Sequence, residues 1–236
     1  MAYSILSTKI LSPQLHQWAK ERQFDYIESS VIETVPCITP LLQLRMEETF
    51  EQPQDAAIFT SEQAIIALKS VFPPQDKLPW DTFCIHGVTK DKILLNYPKT
   101  NIVGTAGYGN ELADKIIDSS YPHYHFFCGN RRREIIPSAL TDGNKEWTEY
   151  IVYRTELIPK PLPVADFVMF YSPSGVESFF TYNTLPSKTI CIAIGKTTAQ
   201  TLEQYTQNTI IQSEETNPLS MLKAIEQYIQ KNLTTI

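Results

Sequence analysis

Short apolar runs that end at a glycine or a hydroxyl-rich turn, each followed by a helix-like period, recur along this chain. That pattern constrains its fold more than any other feature. Gly104 follows NIV at 101–103, Gly129 follows FFC at 126–128, and Gly195 follows CIAI at 191–194. Gly175 follows FVMFYSPS at 167–174, while Gly107 and Gly109 extend the turn that Gly104 opens. The sequence has only eight glycines, so six at such junctions make a pattern. Glycine lets backbone approach a ligand closely. A helix opening straight after such a turn has unpaired first-turn N–H groups, and its dipole favours an anion there. The chain therefore reads as strands feeding helices, with several backbone sites for something acidic.

The order of these units sets the fold class. YSILST at 3–8 reads as a strand, Ser12-Pro13 opens an amphipathic helix through Leu15, Trp18, Ala19 and Arg22, and FDYIES at 24–29 is a second strand. From AAIFTSEQAIIALKSV at 56–71 to HYHFFCGNRRREIIPSAL at 123–140 the strand–turn–helix scheme repeats. It resumes with DFVMFYSPSGVESFF, TICIAIGKTTAQTLEQY, TIIQS and a last helix from Pro218 to about Leu233. Such alternation predicts parallel sheets flanked by helices. Two extended, proline-marked segments interrupt it: VIETVPCITP with Pro36 and Pro40, and EYIVYRTELIPKPLP with Pro159, Pro161 and Pro163. They divide the chain into an outer domain of residues 1–35 plus 164–236 and an inserted domain of 50–148. Residues 36–49 and 149–163 are then the linker strands. A single continuous doubly wound sheet is the alternative.

A pseudo-repeat supports two domains. AAIFTSEQAI and FVMFYSPSGV both run strand, aromatic, hydroxyl, helix; NIVGTAGYGNELA and CIAIGKTTAQTLE both run strand, glycine, threonine turn, helix. In parallel sheets ligands bind beyond the carboxyl ends of the strands, where these turns belong. Two such faces across a hinge would make a cleft. The net charge of −6 argues against a nucleic-acid or anionic-membrane surface but leaves backbone dipoles free to bind a small acid. No apolar stretch approaches the ~18 residues of a spanning helix, and the N-terminal segment lacks an export-signal pattern. The four cysteines are widely spaced, three of them in apolar runs, which suits a reduced, cytoplasmic chain.

Each candidate turn has a plainer reading beside the functional one. Ser172 and Ser174, with Gly175, offer hydroxyls and N–H groups to an anion, or merely cap a helix. Lys196, Thr197 and Thr198 after Gly195 exceed what a cap needs, yet the first glycine of a phosphate loop is missing. The glycine spacing around Gly104 and Thr105 is wrong for a dinucleotide fingerprint. Arg131, Arg132 and Arg133 at an expected helix start oppose its dipole, so they read either as a carboxylate clamp or as a solvated face. His123 and His125 share a strand face with no third metal ligand in reach.

Five segments in order carry a resemblance: FTS at 59–61, FFCGNRRREIIPSAL at 126–140, IVYRT at 151–155, FYSPSGV at 170–176 and AIGKTTAQTL at 193–202. Together they resemble uroporphyrinogen-III synthases, over nearly the whole chain. The resemblance implies two Rossmann-like domains joined by a two-stranded linker, with the first strands belonging to the later domain. It implies a cofactor-free, metal-free hydro-lyase reaction in an interdomain cleft. Linear hydroxymethylbilane would lose water and close to uroporphyrinogen III, its terminal pyrrole inverted through a spiro intermediate. The substrate's eight carboxylates match the need for many anion-accepting turns. A monomer is implied, with the substrate free or handed over by the preceding pathway enzyme. The contrasting class is a two-domain binding protein that senses an acidic ligand without transforming it.

By motif match, Tyr153 is the candidate acid for the leaving hydroxyl. Thr60, Ser61, Gly104, Thr105, Gly129, Asn130, Ser172, Ser174, Gly175, Lys196, Thr197 and Thr198 match positions implied to bind substrate. The chain departs from the family pattern at Lys196, where proline is usual, at Gly107, where threonine is common, and at Gln63, where some members have arginine.

Overall fold

The structure, a computed structural model, describes residues 3–233; residues 1–2 and 234–236 of the expected outer domain lie outside the described residues. From the N-terminus the elements are β1 (Ser4–Ser7), α1 (Pro13–Glu21), β2 (Asp25–Glu28), β3 (Ile32–Pro36) and α2 (Pro40–Thr49). Then come β4 (Ala56–Phe59), α3 (Glu62–Leu68), β5 (Asp81–Ile85), α4 (Val88–Asn96), β6 (Ile102–Ala106), α5 (Gly109–Ile117), β7 (Tyr124–Gly129) and α6 (Ile135–Asp142). The long β8 (Trp147–Leu157) leads to β9 (Phe167–Phe170), α7 (Pro173–Phe180), β10 (Ile190–Ala193), α8 (Lys196–Tyr205), β11 (Ile210–Gln212) and α9 (Pro218–Leu233). Residues up to Glu33 and from Glu156 onward form one compact unit, and Thr34–Thr155 form a second.

The first unit is a parallel sheet in the order β11-β10-β9-β1-β2. Strand alternation assigns each face. Leu6, Val168, Phe170, Cys191 and Ala193 pack with Val176 and Phe179 of α7 and Leu202 of α8. Their neighbours Ile5, Phe167, Met169, Ile190 and Ile192 face the other way, onto Met221, Leu222 and Ile225 of α9 and onto Leu15 and Trp18 of α1. Both faces are apolar, so the strands read as unbroken hydrophobic runs in the sequence.

The second unit is a six-stranded sheet in the order β3-β8-β7-β4-β5-β6, parallel from β4 through β8. Ala57, Phe59, Cys84, Phe127, Tyr150 and Val152 pack on α2, α3 and α4, joined by Trp80. Ala56, Ile58, Phe83, Phe126 and Cys128 pack on α5 and α6 through Leu112, Ala113, Ile116, Ile136 and Leu140. In both sheets the strand order reverses once. The reversal lies between β1 and β9 in the first unit and between β4 and β7 in the second. Adjacent crossover connections there leave in opposite directions, which opens a crevice at the carboxyl ends of the strands.

Three local expectations change. Residues 36–49 are not an extended linker throughout. From Pro40 to Thr49 they are helical, because Thr39 Oγ1 accepts the Leu42 N–H at 3.2 Å and Pro40 occupies the first turn, where proline is pre-shaped for a helix. Arg131–Arg133 do not open a helix; they sit in the turn before α6, whose N-cap is Glu134. Gly104 and Thr105 lie inside β6 rather than in the following turn, since the β5 ladder continues from Phe83↔Gly104 to Ile85↔Ala106.

Candidate functional site

In the second unit the reversal point brings together the ends of β4 and β7. Thr60 and Ser61 follow β4, and Ser61 Oγ accepts the Gln63 N–H at 3.2 Å as the N-cap of α3. Gly129 ends β7 beside Tyr153 of β8. The register explains how Tyr153 comes to point there. Cys128 pairs with Ile151, but Gly129 pairs with Tyr153, so β8 carries one extra residue, Val152. A bulge of this kind re-aims the side chains beyond it. Here it puts the consecutive residues Val152 and Tyr153 against the same core, that of α2, α3 and α4. Without it Tyr153 would face the opposite side of the sheet.

The Tyr153 ring lies directly over Gly129. A Cβ at that glycine would stand 2.3 Å from Cε2 and 2.4 Å from Cζ of the ring. Burial raises the phenol's pKa above its ordinary value of 10.0; the facing Ser61 hydroxyl lowers it in part, and Cys128 adds to the rise. Tyr153 is therefore a neutral O–H donor throughout the physiological range. Asn130 continues the ladder past β7: its N–H donates to Tyr153 O at 3.2 Å, and its Oδ1 accepts the Thr155 N–H at 2.9 Å. Arg132 is paired with Glu149 and Glu134, which takes it out of a carboxylate clamp; Arg131 and Arg133 are exposed.

Gly104 and Thr105 belong to the edge strand β6, away from the reversal point. A Cβ on Gly104 would meet Phe83 Cδ1 at 2.5 Å, so this glycine makes room for a buried ring. The Gly107 N–H is taken by Glu111 Oε2 at 3.1 Å, a carboxylate of the chain's own. Outside the candidates drawn from the sequence, His86 and Gly87 form the turn from β5 into α4 at the same end of the sheet. Gly87 is the one described glycine with positive φ, at 74°, where a side chain would be strained. Its signal was present: FCIHG is one more apolar run closed by glycine.

In the first unit the reversal point joins the ends of β1 and β9. Ser172 Oγ accepts the Gly175 N–H at 3.1 Å and lies 3.1 Å from Ser174 Oγ. Tyr171 reaches back, its hydroxyl 3.0 Å from Ser7 Oγ, and Thr8 Oγ1 donates to Met169 O at 2.8 Å. On the adjacent strand, Gly195 is the N-cap of α8 and supplies no side-chain acceptor. Among the described residues the N–H groups of Lys196, Thr197 and Thr198 in that first turn thus have neither an intrahelical nor a side-chain partner. Thr198 is 3% exposed, and its hydroxyl makes no hydrogen bond among the described residues. Lys196 extends into solvent beside it. A shallow cavity of about 470 Å³ along α1 and β2 is lined by His16, Lys20, Tyr26 and Glu28; His16 and Glu28 pair with each other there at 2.8 Å.

His123 and His125 are separated in function by their partners. His123 Nε2 lies 2.8 Å from Thr148 Oγ1, while His125 Nε2 lies 3.0 Å from the buried Asp55 Oδ2. Among the described residues no group of three or more His, Cys, Asp or Glu side chains could hold a metal ion. No helix there is long and apolar enough to cross a membrane.

These features define a class: an α/β protein of two parallel-sheet units flanked by helices, each with a hydroxyl-bearing turn at its strand-order reversal. A sequence model of the uroporphyrinogen-III synthase HemD family matches residues 13–223, and the chain belongs to that family. A uroporphyrinogen-III synthase of Saccharomyces cerevisiae is 29% identical over 150 residues, which are 52% of this chain and 54% of that protein. The match thus spans about half the length of this curated relative. Uroporphyrinogen-III synthetase from Helicobacter pylori superposes with a TM-score of 0.66 at 16% identity, covering 97% of this chain and 100% of that one. A mutant uroporphyrinogen III synthase from Thermus thermophilus gives 0.65 at 15%, covering 98% and 100%. At such identities the two structures speak for the fold, and they share it over nearly the full length.

Proposed function

We propose that the protein converts hydroxymethylbilane to uroporphyrinogen III, with loss of water and inversion of the terminal pyrrole ring. Family membership supports the reaction, and one geometric observation carries its assignment to residues. The bulge in β8 aims the Tyr153 phenol, a neutral donor at physiological pH, over Gly129 beside the reversal point of the second unit, facing the Ser61 hydroxyl.

The chemistry follows from the substrate. An electron-rich pyrrole pushes out its hydroxymethyl oxygen as the C–O bond breaks, leaving an azafulvene cation. Tyr153 O–H donates toward that oxygen, so that it departs as water rather than hydroxide. A positioned acid of this kind contributes typically ~10²–10⁴-fold. The cation is then attacked by the substituted carbon of the terminal pyrrole to give the spiro intermediate, which fragments and recloses through that ring's unsubstituted α-carbon. The proton lost from this carbon returns to the Tyr153 phenolate, and the product is the type III isomer. No redox change occurs and the only product besides the ring is water. The harder demand is to make the substituted carbon the attacking atom, which is a matter of fixed geometry.

Carboxylate binding falls to the turns. In the first unit we assign it to Ser172, Ser174, Gly175 and the open first turn of α8 with Lys196, Thr197 and Thr198. In the second we assign it to Thr60 and Ser61. The substrate is the one partner this reading requires, whether it diffuses in or is handed over. The test is to incubate the purified chain with hydroxymethylbilane and separate the products by isomer. Predominance of type III supports the proposal. A product identical to the spontaneous type I mixture, with the bilane merely bound, would assign the chain to ligand sensing instead.

A further inference from the structure

Gly129 and Asn130 match positions that the family resemblance would give to the substrate, yet their contacts in this chain point elsewhere. The space over the Gly129 Cα, which a ligand would need, is filled by the Tyr153 ring. Carbon–carbon contacts are ordinary at about 3.5–4.0 Å, so a Cβ at 2.3 Å from Cε2 would push the ring back by roughly an ångström. The clash is with the far end of one side chain, Cε2, Cζ and the hydroxyl oxygen at 2.9 Å, and not with backbone. Adding a methyl there would therefore mis-aim the phenol while leaving the sheet able to form.

Asn130 secures the backbone directly after the same residue. In a parallel ladder a residue donates its N–H to one position of the neighbouring strand and accepts from the position two further on. Asn130 N–H donates to Tyr153 O, so its carbonyl would accept from Thr155 N–H. The Asn130 side-chain Oδ1 takes that bond instead, at 2.9 Å. The Asn130 backbone N–H and side-chain oxygen together thus carry the ladder from the Tyr153 carbonyl to the Thr155 N–H, immediately after Tyr153 and just where β7 stops and its backbone turns away. The bulge at Val152 needs such a clamp, because the register could otherwise relax by one residue and carry Tyr153 to the other face.

We infer that Gly129 and Asn130 are positioning residues for Tyr153, with Gly129 as the seat of its ring and Asn130 as the clamp on its backbone, and that neither serves as a substrate ligand. The inference rests on Tyr153 being the acid, and the experiment separates the two claims. Gly129→Ala, Asn130→Ala, Tyr153→Phe and the Gly129→Ala/Tyr153→Phe double variant are made in the full chain. Tyrosine labelled with ¹³C at Cζ reports the phenol directly, and the Tyr153 resonance is the one that Tyr153→Phe removes. In Gly129→Ala that resonance should move, and its titration should fall back toward the ordinary tyrosine range as the ring leaves its buried seat. Misplacement by about an ångström costs catalysis on the order of 10²-fold, so kcat should fall by that order with KM within about twofold. The double variant should be no slower than Tyr153→Phe alone. Asn130→Ala should shift or broaden the same resonance and lower kcat several-fold.

An unmoved resonance in both variants, a loss confined to KM, or multiplicative losses in the double variant would each overturn the inference. If Gly129→Ala does not fold, Asn130→Ala decides by the same readouts. If Tyr153→Phe keeps full activity, the acid assignment fails, and the resonance still tells whether Gly129 and Asn130 hold the ring.

Discussion

The buried pair of His125 and Asp55 makes the stability of the second unit depend on pH, in a direction the surroundings determine. His125 Nε2 meets Asp55 Oδ2 at 3.0 Å with both side chains buried, and His125 Nδ1 is buried with no partner among the described residues. In the neutral ring Nε2–H donates to the carboxylate and Nδ1 is a bare acceptor. Protonation would place a second N–H where nothing accepts it. Burial lowers the imidazole pKa below its ordinary 6.5, against the Asp55 carboxylate, which raises it; His123 adds to the lowering. The other groups around the pair, Tyr150 with Arg45 and Glu48 near it, leave that ordering in place. A base with a depressed native pKa is protonated first in the unfolded chain. Its stabilisation is complete above about pH 6.5 and is lost as pH falls below that value, until the native pKa is reached. One proton corresponds to about 1.4 kcal/mol per pH unit. The unfolded imidazole is only half protonated at pH 6.5, so between pH 6.5 and 5.5 the wild type should lose up to about 1 kcal/mol more than His125→Gln, which cannot titrate. Urea unfolding at stepped pH measures this, with fluorescence as the probe, since Trp80 lies 5.8 Å from the His125 ring. Parallel slopes in the two proteins would refute the argument. A wild type that gains on the variant as pH falls would show that the imidazolium–carboxylate attraction wins instead.

Other expectations follow from single contacts. Tyr153→Phe should slow type III formation by at least ~10²-fold with circular dichroism unchanged, and near-normal turnover would leave Tyr153 a packing residue. Gly104→Ala drives a methyl into the Phe83 ring, itself wedged against Tyr121 and Tyr124. Overpacking of that kind costs about 1–3 kcal/mol, visible in urea unfolding without a specific effect on KM. Thr198→Val, which keeps the buried branched shape and removes only the hydroxyl, should barely alter stability, because that hydroxyl makes no hydrogen bond among the described residues, yet it should raise KM for the bilane. An unchanged KM would remove Thr198 from the binding turn.

The fold class was legible because both faces of each sheet are covered. Runs such as FVMF and ICIA are buried at every position, and each is followed by a helix start. What the runs could not show was where a strand ends. Gly104 resembled Gly195 in sequence, but β6 continues two residues beyond Gly104 while β10 stops before Gly195, because only Gly104 sits beneath a ring that needs its missing side chain. Spatial partners across the sheet, such as Phe83 for Gly104 and Tyr153 for Gly129, leave no local trace. The fate of the three arginines was hidden for the same reason. Glu149, which binds Arg132, lies 17 positions away on the neighbouring strand. The hydroxyl turns were the more readable part of the candidate site, since serine and threonine at a strand–helix junction have local reasons to be there.

Those turns differ in how much of their donor capacity is already used. Ser61 and Ser172 each accept an N–H of their own helix, so an incoming carboxylate at α3 or α7 must share or displace a bond already made. The first turn of α8 makes no such bond. With glycine at the N-cap, leaving out a side-chain cap costs a helix only a few tenths of a kcal/mol, about 0.3. That cost is tolerable here because α8 is anchored by Leu202, fully buried against β9 and β10, with Ala199 packed beside it. In exchange, three N–H groups, a threonine hydroxyl and the Lys196 ammonium group are available together. A carboxylate arriving there gives up hydration for several unopposed donors, whereas at the capped turns it gains fewer. The strongest anchoring of an acidic substrate within the first unit should therefore come from α8, with the serine turn of α7 acting as a weaker, adjustable contact.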